Sequence, residues 1–264
     1  MFESLKRVLG FGKASQHGQA TLNQATSRLA TPGQAKSGQT KSGRANGQNV
    51  ATSAGRAAAG STVSEWANTQ GLAFSERRDG RGGYQIEGKV GSKAWRIEQG
   101  QPSRDFIKGT ELRARAELGV RDDVAVMVMS RQLKNSLDKR AFALYTDTLQ
   151  TVVDPSLPEE MRWLSIYEEV GWESLGNEFL NHYAILADTR ENATAWITPE
   201  LVSGLTTWPV MDPDAPKILM LLRGKAYLRM QCTPGDLPTL EHATLLFTTA
   251  CELALNHFGT DIAA

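Results

Sequence analysis

The segment Tyr84–Gln99, YQIEGKVGSKAWRIEQ, decides the fold. Tyr84, Ile86 and Val90 alternate with Gln85, Glu87 and Lys89; past Gly91, Trp95 and Ile97 alternate with Lys93, Arg96 and Glu98. A third stretch repeats the pattern, with Leu112, Ala114, Ala116 and Leu118 set between Glu111, Arg113, Arg115 and Glu117. Alternate side chains of a strand point to opposite faces, so period two with one charged face describes an antiparallel sheet covered on one side. Gly80, Gly82, Gly83 and Gly91 supply the turns.

Working outward, Thr62-x-x-Glu65 has capping-box spacing and predicts a short helix through Trp66 toward Gly71. From Val124 an apolar run leads into a helical stripe of Leu133, Leu137, Ala141, Leu144 and Thr148. Ser156-x-x-Glu159, with Pro158 in the first turn, predicts a helix carrying Met161, Leu164 and Val170. Tyr183 to Ala187 reads as a strand, and Thr198 followed by Pro199 as a helix start. Lys217 to Gln231 reads as a hairpin pivoting near Gly224, its first arm, Ile218 to Leu222, apolar at every position and so buried on both faces. After Asp236, Leu240, Ala243, Phe247, Cys251, Ala254 and Phe258 trace one helical stripe that Gly259 ends. The expected fold class is α+β: a mostly antiparallel sheet packed against helices, over residues 62–264, with 62–155 and 156–264 as two candidate halves.

The N-terminal part differs in kind. Between Glu3 and Glu65 there is no acidic residue, while Lys6, Arg7, Lys13, Arg28, Lys36, Lys41, Arg44 and Arg56 give residues 1–64 a net charge of +7. The whole chain is neutral, so the remainder carries −7. Residues 14–61 hold Leu22, Leu29 and Val50 as isolated large apolar groups, too few to offset the entropy of ordering. A disordered basic linker is expected there, with a reach of ~40 Å. The bases are widely spaced and lack aromatic stacking partners, which argues against a specific nucleic-acid site.

Residues 1–13 form the candidate attachment site. Met1, Phe2, Leu5, Val8 and Leu9 share one arc of a helical wheel, with Lys6 and Arg7 beside it and Lys13 following. Phe2, Leu5 and Leu9 suit an apolar interface, and Lys6, Arg7 and Lys13 suit anionic headgroups. The stretch from Ser4 to Lys13 resembles membrane-targeting helices at the ends of some bacterial division and division-site proteins. An anionic membrane surface or a groove on a partner protein is the expected contact. Amphipathic, Arg-bearing and acid-poor, residues 1–61 also fit an organelle transit segment.

No motif for chemistry is present. The chain has no H-E-x-x-H, C-x-x-C, Walker A or strand-linked G-x-G-x-x-G, so no cofactor or metal is implied. Gly171 to Gly176 misses nucleophile-elbow spacing by one residue. Cys232 and Cys251 read as small hydrophobes, and His17, His182, His242 and His257 are scattered. Glu159 and Glu160 diverge by about 100° and suit a helix N-terminus. On the charged sheet face, Lys89, Lys93, Arg96, Arg113 and Arg115 would be neutralised by Glu87, Glu98, Glu111 and Glu117 in solvent. Trp163, Trp172, Trp196 and Trp208 would mark a binding surface if two or more were exposed together. The resulting expectation is a cytoplasmic, non-enzymatic adaptor held at a membrane or partner by its N-terminus. The alternative is an enzyme or small-molecule binder, for which a pocket with convergent Arg113, Arg115 or His182 would speak.

Overall fold

The computed structural model describes residues 62–77, 82–148, 159–209, 212 and 215–260, with side chains described to 143 in the helix that ends at 148. The amphipathic helix expected over 1–13, the linker expected over 14–61, and Ser156 and Pro158 lie outside the described residues.

A short helix, α1 (residues 62–69), opens the described part. Then come β1 (Ala73–Glu76), β2 (Tyr84–Val90), β3 (Lys93–Gly100), β4 (Thr110–Glu117), β5 (Ala125–Ser130), α2 (Arg131–Thr148) and α3 (Glu159–Ile166). They are followed by β6 (Glu168–Val170), a 3-10 turn (Glu173–Leu175), α4 (Gly176–His182), β7 (Tyr183–Ala187), α5 (Arg190–Trp196) and α6 (Pro199–Thr206). The chain closes with β8 (Lys217–Leu222), β9 (Lys225–Cys232) and α7 (Leu237–Phe258). The expected α+β class is what the chain adopts.

One nine-stranded sheet runs in the order β1-β2-β3-β4-β9-β8-β5-β7-β6, every neighbour antiparallel. Residues 62–155 and 156–264 both feed it: β4 pairs with β9, and β5 lies between β8 and β7. The β8–β9 turn has Arg223 at φ 52° and Gly224 at φ 70°, the two-residue geometry that matches strand twist. A side chain at Gly224 would also meet the Val120 carbonyl oxygen at 2.9 Å.

One face of this sheet is covered along its length. Ile86, Ile97, Leu112, Val128, Ile185, Leu219 and Leu228 meet Ala67 of α1, Trp196 of α5, Leu201 of α6 and Phe247 of α7. The Trp196 indole donates to the Ala250 carbonyl at 2.9 Å, satisfying its polar atom inside the core. Thr198 caps α6 by accepting from the Leu201 amide, as its sequence position predicts.

The other face is covered over one half only. Met127, Met129, Ala184, Leu186, Ile218 and Met220 pack against Leu133 and Leu137 of α2 and Trp163 and Leu164 of α3. Strands β5, β7 and β8 are buried at every position, which is why, apart from Ser130 and Lys217 at two strand ends, their sequences are apolar. Over β2, β3, β4 and β9 no helix covers that face among the described residues, and those strands alternate.

Four features differ from the expectations or extend them. Val170 is not on the α3 helix: that helix ends at Ile166, and the chain turns to add β6 at the sheet edge, with Val170 opposite Ile185. The turn brings Glu169 to Arg131 and Lys134 of α2. Lys93 does not share a face with Arg96; an odd offset puts it on the side of Trp95 and Ile97. Strand β1 and helices α4 and α5 are too short to leave a periodic signal.

Candidate functional site

The uncovered half-face is a ladder of ionic side chains whose order follows from strand register. One row across the sheet reads Glu87, Arg96, Arg115, Tyr227, and the next reads Gln85, Glu98, Arg113, Arg229. Arg96 thus stands directly opposite Arg115, and Arg113 directly opposite Arg229. Like charges directly opposite are destabilising unless something between them compensates.

Two buried carboxylates do so. Glu98 accepts from Arg113 Nε at 2.8 Å and Nη2 at 2.6 Å, and from Arg77 at 3.2 Å. Arg96 Nε lies 3.2 Å from its other oxygen. Glu111, only 1% exposed, accepts from Arg229 at 2.7 Å and from the Ser103 amide at 2.6 Å. Arg229 also donates to Ser103 Oγ at 2.6 Å. Arg104, in the β3–β4 loop, meets Glu159 at 2.8 Å and Glu160 at closer range, tying this loop to the start of α3. That pairing is the role of the two adjacent acids. The face expected as solvated therefore has a buried ionic floor, because Glu98 and Glu111 accept several donors each and so tolerate burial.

Arg115 is placed differently. Its Nη2 meets the exposed Glu117 at 2.5 Å, and its guanidinium carbon lies 5.9 Å from the centre of the Tyr227 ring. Lys225 reaches Glu117 as well, at 3.3 Å. Hydrogen bonds from Lys225 and then Arg115 hold the Glu117 carboxyl below its ordinary value.

Two concavities meet on this face. A recess of about 240 Å³ is lined by Arg96, Glu98, Arg104, Arg113, Arg115, Tyr227 and Arg229, among others. A wider groove of about 890 Å³ runs past Leu72, Ala73, Lys89, Ala94 and Trp95. Arg96 and Arg115 line both, so they form the seam between them.

Of the residues singled out in the sequence, Arg96, Arg113 and Arg115 converge here and Lys89 lines the wider groove. His182, at the end of α4, lines neither. Arg104, Tyr227 and Arg229 were not anticipated. The alternation of Tyr227 and Arg229 with Ala226, Leu228 and Met230 carried the signal, but only the long-range β4–β9 pairing places them beside Arg113.

The remaining candidates fall to structural roles. Trp163, Trp196 and Trp208 are buried and Trp172 packs half-buried on the core, so these four form no exposed aromatic anchor. His242 sits 2.7 Å from the Gly204 carbonyl oxygen and 4.5 Å from the Trp208 ring centre. Burial pushes the thiols of Cys232 and Cys251 up to about 11 and about 12. Both are therefore protonated and poor nucleophiles at neutral pH. Among the described residues no three His, Cys, Asp or Glu side chains are grouped to hold a metal, and no helix is long and apolar enough to cross a membrane. The attachment residues Phe2, Leu5, Lys6, Arg7, Leu9 and Lys13 lie outside the described residues.

No family model matches the chain, and no curated protein matches it. Among solved structures, the mycobacterial trehalose monomycolate transport factor A, TtfA, is similar over 76% of this chain and 96% of that one, with 11% identity and a TM-score of 0.43.

Proposed function

We propose that this chain is a non-enzymatic binding module that receives an anion-bearing partner on the uncovered half of its sheet. Its first dozen residues keep it at a membrane surface or on a second protein. One observation carries the reading. Among the described residues, the sheet face that is sealed by α2 and α3 over β5, β7 and β8 is left open over β2, β3, β4 and β9, where five arginines surround a recess. A fold that can cover half of a face with helices has a ready solution for the other half. Arg96 and Arg115, opposed across β3 and β4, each meet a carboxylate through a single nitrogen, which leaves donors for a ligand.

A soluble anionic polymer tests this directly. Titrating a short polyglutamate peptide into the isotope-labelled full chain should shift amide resonances of β3, β4 and β9, with a strong dependence on salt. Shifts confined to the α7 side of the molecule would refute the assignment. The tether is tested separately: deleting Met1 to Lys13 should leave the thermal midpoint unchanged and release the protein from anionic liposomes. Equal pelleting of both forms would reject the anchor.

A further inference from the structure

The geometry points to a narrower ligand class at the same face: a phosphate monoester whose dianionic head is gripped jointly by Arg96 and Arg115, with its organic body in the adjoining groove. The inference rests on the reading that this face binds anions, and adds which atoms do so and for what.

The arginines of the recess are unequal. Arg113 places two nitrogens on one Glu98 oxygen, and Arg229 is shared between Glu111 and Ser103. Arg104 is spent on Glu159 and Glu160. Among the described residues, Arg96, by contrast, engages a carboxylate through Nε and Arg115 through one terminal nitrogen. Their side chains are 50% and 41% exposed. Each guanidinium has five N–H donors, so both keep most of their forks free.

These two forks start from directly opposed residues, with backbones about 5 Å apart. A lone carboxylate has two oxygens and satisfies one fork. A phosphate monoester has three terminal oxygens and a charge of about −2, so it can accept from both guanidiniums at once and neutralise both. Arg113, Arg229 and Arg104, held by Glu98, Glu111, Glu159 and Glu160, do not compete for its oxygens. The ester's carbon side then has one direction to leave, because Arg96 and Arg115 are the seam between recess and groove. Leu72, Ala73 and Ala94 give that groove apolar surface for an organic body.

A soluble phosphate ester and a phosphatidic acid headgroup share this chemistry, so the experiment carries both arms. Calorimetric titration of the full chain with phenyl phosphate should give saturable binding. Affinity should fall at least tenfold in Arg96→Gln and in Arg115→Gln and remain unchanged in Lys93→Gln on the opposite face. Methyl phenyl phosphate, a monoanionic diester, should bind at least tenfold more weakly. If the physiological source is lipid, the double variant should lose preference for phosphatidic acid vesicles over phosphatidylserine vesicles of equal charge. Binding of phenyl phosphate that survives both single variants, or equal binding of the diester, overturns the inference. Absent phenyl phosphate binding beside polyglutamate shifts on β3, β4 and β9 overturns it too, but leaves the broader reading standing. Absence of both removes the two together. Circular dichroism and thermal midpoints matching the wild type confirm that the variants are folded.

Discussion

Two halves of one sheet face meet where Ile218 stands opposite Arg229, and they follow opposite rules. On the Ile218 side strands β5, β7 and β8 are buried at every position, apolar except for Ser130 and Lys217, and helices seal both surfaces. On the Arg229 side the strands alternate, one surface is sealed, and the other carries charge over a buried ionic floor. Backbone geometry is shared, since the ladder is continuous across the boundary. The difference teaches that cover follows from side-chain pattern: a fully apolar strand requires two lids and an alternating one requires a single lid.

Moving the boundary should have the largest effect. Ile218→Arg puts an unpaired charge into the layer formed by Leu133, Leu137 and Trp163, and is expected to cost roughly 3–5 kcal/mol in urea denaturation. A loss below about 1 kcal/mol would mean that the covered half is not dry. Glu111→Gln keeps the shape but removes the charge facing Arg229 and Arg113, with an expected cost of about 2 kcal/mol. No change there would show the ionic floor to be ornamental. Glu169→Gln loosens the rim of the covered half, where the carboxylate meets Arg131 and Lys134. Burial raises this carboxyl, but hydrogen bonds from Lys134 and Arg131 outweigh it and hold it below the ordinary 4.5. A depressed carboxyl stabilises above its unfolded value and loses that contribution as pH falls through the folded one. The gap between wild type and variant, about 0.5–1 kcal/mol at pH 7, should therefore persist at neutral pH and close below pH 4.5. A gap that widens on acidification contradicts the clamp. The smallest effect is expected from Arg115→Leu, which should change stability by no more than about 0.5 kcal/mol because its partners are solvent-facing.

The alternating strands β2 to β4, the β8–β9 hairpin and helix α7 were all legible, because a buried face imposes a period that local sequence records. Thr198 announced α6 through the chemistry of its cap. Val170 misled because no glycine or proline stands between Leu164 and Val170 to mark where the helix ends and the edge strand begins. The site was half legible. Arg96, Arg113 and Arg115 stood out on their strands, but their neighbours Arg229 and Tyr227 come from more than a hundred positions later. Nor did alternation reveal that Glu98 and Glu111 would be buried, since this depends on how many donors converge on each carboxylate.

The central claim is that the arginine-lined half-face stands open in the intact protein. Phenylglyoxal labelling of the full chain, followed by peptide mass spectrometry, measures this most directly. Arg96 and Arg115 should react fastest among the sheet arginines, Arg113 and Arg229 slowly, and phenyl phosphate should protect the first pair. Arg96 and Arg115 that resist the reagent in the free protein, or react as slowly as Arg229, would contradict the account.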